Sequence, residues 1–392
     1  MFQTCIALVT ASVLGGAQPV HAAENDPPLP VTITNNSGRH DALYLYVVGT
    51  DLGHDDRRGH LNSTGTFTSW PQGKTPPIPA PDASIPGPAD GGSITLMVPR
   101  NFAGRVYMAF GDKLQFFLTT GGLVEPAPWT ASDPNHGVLL DWSELTYDSG
   151  GLWLNSSQVD QFAIPHVVAV TSQNGSTRRA GELVPDGRHK IVESLNDQPG
   201  WGRLAQRAQD GSVLRVLSPA RGTDADVFDP RYLDGYIERS WAEYAAKPLV
   251  VTPFTSNPAI RFTGRTQGDV LSFTDVSGRR VAEFRKPSTM EVWRCDGALA
   301  APNDDMVGPI ARTLCAALHR STLESNDLQP SGTSADFYKG TVTDHYSRVI
   351  HENMADGRAY GFAFDDVLAQ ESIVHDATPH AAGITITPLT VD

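Results

Sequence analysis

The segment from Asp141 to Pro165 constrains this chain more than any other. It reads Asp-Trp-Ser-Glu-Leu-Thr-Tyr-Asp, then Ser-Gly-Gly, then Leu-Trp-Leu-Asn-Ser-Ser-Gln-Val-Asp-Gln-Phe-Ala-Ile-Pro. The alternation before Ser149-Gly150-Gly151 predicts one strand over 142–148, and the residues after it a second over 152–158. Side chains two apart share a face of a strand. Glu144, Thr146 and Asp148 therefore fall on one side, and Ser143, Leu145 and Tyr147 on the other.

Much of the remaining chain carries the same signature. Val31 to Thr34, Ala42 to Val48, Ser93 to Val98, Arg105 to Phe110 and Leu114 to Leu118 all read as strands. The 36 glycines and 29 prolines punctuate them, and residues 71–92 form a Pro/Gly/Ala-rich surface loop. Short strands at this spacing point to a sandwich or a barrel. After about residue 180 the texture changes. His189 to Ala208, Pro230 to Ala246 and Met306 to Ala317 read as helices. Short strands lie between them at Val213–Leu217, Leu249–Val251, Val270–Phe273 and Val281–Phe284. The tail returns to strands at Ala359–Val367 and Gly383–Leu389. The expected organisation is a leader over 1–23, a β domain over 24–180, an inserted mixed α/β domain over 181–350, and strands over 351–392 that rejoin the β domain. Its 392 residues are enough for two cores.

The leader is read from the apolar, small-residue run Ile6–Gly16 and from Val20-His21-Ala22 before Ala23, a cleavage-site pattern, although no Lys or Arg precedes the run. The expected location is therefore extracellular or periplasmic. Cys5 would leave with the leader. Cys295 and Cys315 then form an even pair that an exported protein would oxidise, closing a loop worth about 3 kcal/mol in the chain-entropy model. A net charge of −14 excludes nucleic acid and anionic membrane surfaces as partners. No later apolar run is long enough to span a bilayer. No CxxC, HExxH or tight His/Asp cluster is present, so no metal site and no cofactor are expected.

A strand face offering carboxylate, hydroxyl and carboxylate suits a neutral polar ligand such as a sugar. Glycoside hydrolysis needs two carboxyl groups flanking one bond, one to protonate the leaving oxygen and one to activate water or attack. Asp160, on the return arm, is the natural partner of Glu144, with Asp141 and Asp148 as competitors. With a three-residue loop over 149–151, Asp160 lies about 13 Å beyond the position facing Glu144. With a wide loop that sets the two residues opposite each other, their Cα atoms are about 5 Å apart. The expectation is a wide or bulged turn, bringing the carboxyls near the roughly 6.5–9.5 Å of inverting enzymes.

The chain also carries the runs Asp133-Pro-Asn-His, Asp141 to Tyr147 with Asp160 sixteen residues after Glu144, Arg215-Val-Leu-Ser-Pro, Tyr232 to Tyr244 followed by Pro248-Leu249, Cys295 to Asn303, Ala316 to Leu323, and Tyr360 to Val367. In these it resembles the glycoside hydrolases of family 64, the laminaripentaose-producing β-1,3-glucanases. The resemblance covers nearly the whole mature chain. It implies a mainly β fold with α/β: a thaumatin-like β-barrel or sandwich domain, an inserted α/β domain, and a wide groove between them for a β-1,3-glucan. It implies inversion, with Glu144 as general acid and Asp160 as general base. Thr146, Asp148 and Trp153 would line the sugar sites, although Asp148 stands where an Asn is more usual. Asp365 and Asp366 match a recurring tail motif, either lining the groove or holding structure by hydrogen bonds. The protein is expected to act as a monomer on β-1,3-glucan. The competing readings are a non-catalytic glucan-binding or antifungal protein and a hydrolase of β-1,3/1,4-glucan.

Overall fold

The structure is a computed structural model that describes residues 27–389. The expected leader and Cys5 lie outside the described residues. Two open sheets pack face to face. The larger contains β1 (Leu43–Asp51), β2 (Phe102–Phe110), β3 (Leu139–Asp148), β4 (Gly151–Ser156) and β5 (Ile373–Asp376). Across it the order is β5-β4-β3-β2-β1, then Arg57–Leu61 and Phe67–Ser69, with Ile85–Pro86 also paired to β1. The smaller runs Thr177–Ala180, His166–Ser172, Pro379–Ile386, Leu29–Asn35, Ser93–Val98. Of the two β architectures expected, the sandwich forms. Neither sheet closes into a barrel.

Alternation explains the sandwich. Val31, Ile33, Val168, Ile384 and Ile386 of the small sheet meet Leu45, Val47, Val106, Met108, Leu145, Tyr147, Leu152 and Leu154 of the large one, all buried in one cluster. Each such side chain contributes roughly 1.5–3 kcal/mol on leaving water. The opposite face of the large sheet is apolar at one end, where Tyr46, Tyr107, Leu140 and Trp142 join Leu114 and Phe116. Further along the strands this face turns polar, at Arg105 and Glu144 and then at Thr146.

A third cluster draws on residues from Phe162 to Phe362. It is built around helices Gly187–Asn196, Asp234–Ala246, Val307–His319 and His345–Glu352 and a sheet ordered Arg280–Arg285, Val270–Thr274, Phe262–Gln267, Leu249–Val251, Leu328–Gln329. Cys295, which ends the helix Thr289–Arg294, is disulfide-bonded to Cys315 inside Val307–His319, with Cα atoms 5.8 Å apart. Cys295, Cys315 and His319 are the only cluster of possible metal ligands among the described residues, and both sulfurs are held in that bond. No helix there is long and apolar enough to cross a membrane.

Several local expectations need correction. The helix expected over His189–Ala208 stops at Asn196; Gly200, at φ 86°, starts a 3-10 turn, and Ala205–Arg207 is a strand. Over Ala359–Val367 the chain forms turns instead of a strand. There the buried Asp365 accepts hydrogen bonds from Gly361 N and Arg320, and these tie the segment into a compact loop. Leu114–Phe116 is not strand; the pairing begins at Phe117.

Candidate active site

β3 and β4 form the hairpin expected from the alternation, but its turn is tight. Asp148 pairs directly with Gly151, leaving Ser149 and Gly150 as a two-residue loop. The Asp148 carboxylate accepts from Gly150 N at 2.8 Å and fixes the turn. Gly151 sits at φ 108°, and a Cβ there would lie 2.1 Å from the Asp376 carbonyl oxygen, so only glycine fits. In this register Glu144 faces Asn155 on β4 and Arg105 on β2, while Thr146 faces Trp153, which faces His375 on β5. The expected wide or bulged turn is therefore absent.

Asp160 approaches Glu144 by another route. After Ser156 the chain leaves the sheet instead of continuing as strand to Gln158. Ser156 N donates to Ser372 O, Gln158 N to Tyr360 O, and Tyr360 N to the Gln158 side chain. Tyr346 Oη donates to Gln158 O at 2.6 Å. These contacts fold 157–160 back across the sheet face. Nη2 of Arg105 then lies 3.1 Å from Oε1 of Glu144 and 3.8 Å from Oδ2 of Asp160. Those two oxygens can be no farther apart than the sum of these distances, about 6.9 Å, a limit that admits the separations of both retaining and inverting enzymes.

The surrounding charges form a chain. Arg105 Nε donates to Glu144 at 3.1 Å and Nη1 to Glu125 at 3.3 Å, and Tyr107 Oη also donates to Glu125. Asn155 Nδ2 reaches the other Glu144 oxygen at 3.4 Å. Asp160 accepts from Arg221 Nε at 2.8 Å; Arg221 also pairs with Asp224 at 3.0 Å, and Asp224 pairs with Arg294. Burial pulls the Arg105 guanidinium down, but Tyr107, Glu144, Glu125 and Asp160 together hold it above its ordinary value. Burial raises Tyr107, Tyr346 and Tyr360 well above the usual phenol range, aided by Glu125 at Tyr107, by Asp141, Asp344 and Asp160 at Tyr346, and by Asp366, Glu144, Glu371 and Asp365 at Tyr360.

The two competitors are placed elsewhere. Asp141 points to the interior, where Ala163 N, Ile164 N and Trp142 N all donate to it. Burial pushes it up to about 7. Asp148 sits at the hairpin tip, four residues or about 13 Å along the strand from Glu144. Thr146 and Trp153 share the face of Glu144 two residues further along, and Trp153 stacks on His375. Asp365 is fully buried between Arg320 at 2.9 Å and His351 at 2.9 Å. Asp366 is half-buried with one oxygen unpartnered within the protein, and burial and then, against the pull of Arg312, Asp365 raise it. Sequence reasoning missed Arg105, Glu125, Arg221, His375 and Glu371. Arg105 was findable: the alternation Arg105-Val-Tyr-Met-Ala puts it on one strand face with Tyr107.

The family described as β-1,3-glucanase, glycoside hydrolase family 64, matches residues 27–386. Glucan endo-1,3-β-glucosidases from Cellulosimicrobium cellulans and from Arthrobacter sp. (strain YCWD3) are each 44% identical over 384 residues, covering 97% of this chain and 69% of theirs. A crystal structure of a laminaripentaose-producing β-1,3-glucanase in complex with laminaritetraose superposes with a TM-score of 0.88 at 48% identity, covering 92% of this chain and 99% of that one. A family 64 β-1,3-glucanase domain from Clostridium beijerinckii shares the fold, with a TM-score of 0.76 at 24% identity over 92% of this chain and 100% of that one.

Proposed function

From the premise that this chain belongs to the β-1,3-glucanases of glycoside hydrolase family 64, we propose that it cuts β-1,3-glucan to short oligosaccharides by direct displacement, with Glu144 as general acid and Asp160 as general base. The observation that carries the assignment is the single Arg105 nitrogen within 4 Å of both carboxylates. Protonated Glu144 gives its proton to the glycosidic oxygen. Asp160 takes a proton from a water on the opposite face of the sugar ring, and the hydroxide attacks the anomeric carbon as the bond breaks. Arg221 holds Asp160 in place for this step. The Asn155 amide does the same for Glu144.

The glucan lies along the polar rows of the large sheet, in a wide open groove between a thaumatin-like β sandwich and an inserted α/β part. Thr146 and Trp153 contact its sugars, Asp148 lies at the rim, and Asp366 borders the site. Asp365 has a structural role only. The division places 24–180 and 351–392 in the β part and 181–350 in the α/β part; a separate core supports an α/β part, and it reaches past those bounds to Phe162 and to Phe362. Trp129 packs against both that core and the aromatic cluster of the large sheet, which supports a groove where the two meet. The protein is exported and works as a monomer.

Glu144→Gln and Asp160→Asn should each nearly abolish release of reducing ends from laminarin while the fold is kept. Retained hydrolysis in either variant removes that residue from its role, and binding of laminarin without new ends in the native enzyme would favour a purely glucan-binding protein. Proton NMR of the freshly released anomer decides inversion: an α-anomer is expected, and a β-anomer would replace direct displacement with a covalent route.

A further inference from the structure

Arg105 carries one positive charge and touches three carboxylates. Two of them, Glu144 and Asp160, belong to the proposed chemistry. The third, Glu125, does not touch the reacting groups, yet it takes Nη1 of Arg105 at 3.3 Å. Resting on the reading of Glu144 as the general acid, we propose that Glu125 is a positioning residue of the hydrolysis: it draws the Arg105 guanidinium partly away from Glu144, so that Glu144 can hold the proton it donates.

The physical reason is charge sharing. A carboxyl with a whole cation to itself gives up its proton too early to serve as an acid. The other partners of Arg105 do not relieve Glu144. Asp160 is 3.8 Å away and already has Arg221 at 2.8 Å. Along the chain of contacts stand four carboxylates, Glu125, Glu144, Asp160 and Asp224, and three guanidinium groups, Arg105, Arg221 and Arg294. One proton therefore neutralises the set. The phenols facing it, Tyr107 at Glu125, Tyr360 near Glu144 and Tyr346 near Asp160, stay neutral through burial. The geometry is held from both sides. Arg105 lies over the Trp142 ring, with Cζ 4.8 Å from its centre, a contact that helps to hold it in place. Glu125 is fixed by the buried Tyr107 hydroxyl and by a backbone stiffened by Pro126 and Pro128.

The test is the pH profile of kcat/KM on laminarin, whose alkaline limb reports the group that must be protonated. Glu125→Gln keeps the shape and removes the charge. The limb should move to lower pH by about one unit. Tyr107→Phe removes a hydroxyl that donates to Glu125 and accepts from Arg105 Nη1 at 3.4 Å; with both bonds gone Glu125 and Nη1 keep only each other, and the limb should move the other way. The loss in Glu125→Gln should largely vanish on an aryl laminarioligosaccharide whose leaving group needs no proton. If Glu125→Gln does not fold, Tyr107→Phe carries the test. A fall in rate with the limb unmoved in both variants overturns the proposal. Glu144→Gln separates the two failures. If it is inactive on laminarin but active on the aryl substrate while the limb stays put, only the role of Glu125 falls; if it still hydrolyses laminarin, the assignment of Glu144 falls and the inference with it.

Discussion

Trp153 and His375 lie ring on ring, centroids 4.2 Å apart and planes 26° from parallel. The pair spans two adjacent strands, beside Thr146 and two strand pairings away from the Glu144 row. His375 covers one side of the indole, and Gly150 leaves room at its far edge, where a Cβ would come within 2.4 Å. Trp153→Ala should raise KM for laminarin about tenfold with kcat little changed, and Trp153→Phe should recover part of the loss. Steady-state kinetics on a long glucan will show it. An equal fall in kcat would place the indole at the reacting sugar instead.

Arg221 provides the closest charged contact to Asp160. Removing one partner of a hydrogen-bonded charge pair costs on the order of 1.5–3 kcal/mol, or about ten- to a hundredfold in rate. Arg221→Met should lower kcat by that factor with KM nearly unchanged. Arg221→Lys should recover little, because a single ammonium cannot serve both Asp160 and Asp224.

Glu371 predicts a stability that falls with rising pH. Burial first, then Asp366 and Asp365, push its carboxyl up to about 7 from its ordinary 4.5. Its folded value is above its unfolded one, so its favourable contribution is complete below about 4.5 and is lost as pH climbs through 7. The melting temperature should decline between pH 5 and 8. Glu371→Gln should flatten that decline, recovering on the order of 2 kcal/mol at pH 8. Asp141, also raised to about 7 by burial, adds a slope of the same sign, which survives in Glu371→Gln.

Gly151 tests the tight hairpin. A methyl group there would collide with the Asp376 backbone, and the residue would be held at φ 108°. Gly151→Ala should destabilise the protein by several kcal/mol and loosen β5 from β4, lowering the midpoint of thermal unfolding. Gly175→Ala, at φ 84° but with open space around it, should cost much less.

The sequence made the hairpin legible because Trp142–Asp148 alternates, and one alternating strand fixes which residues share a face. It could not show turn length, since Ser149-Gly150-Gly151 suits two loop residues as well as three. It could not show how Asp160 reaches Glu144 either. That depends on contacts of Gln158 and Ser156 with residues beyond 340, and no local pattern encodes such distant partners. Asp365 illustrates the same limit. The alternating Tyr360–Val367 reads as a strand, yet one buried carboxylate claiming Arg320, His351 and Gly361 N outweighs it.

The strand Pro379–Ile386 lies in the middle of the small sheet, parallel to Leu29–Asn35 on one side and antiparallel to His166–Ser172 on the other. During synthesis, Leu29–Asn35 can pair early with Ser93–Val98, but its parallel neighbour follows only after more than three hundred further residues. Until then Ile33 and Val168 have no strand between them to complete their sheet. The core running from Phe162 to Phe362 is complete once Val367 is made, before that central strand exists. On a ribosome the small sheet is thus the layer that closes late: its two halves, Leu29–Asn35 with Ser93–Val98 and His166–Ser172 with Thr177–Ala180, stay apart until Pro379–Ile386 is made.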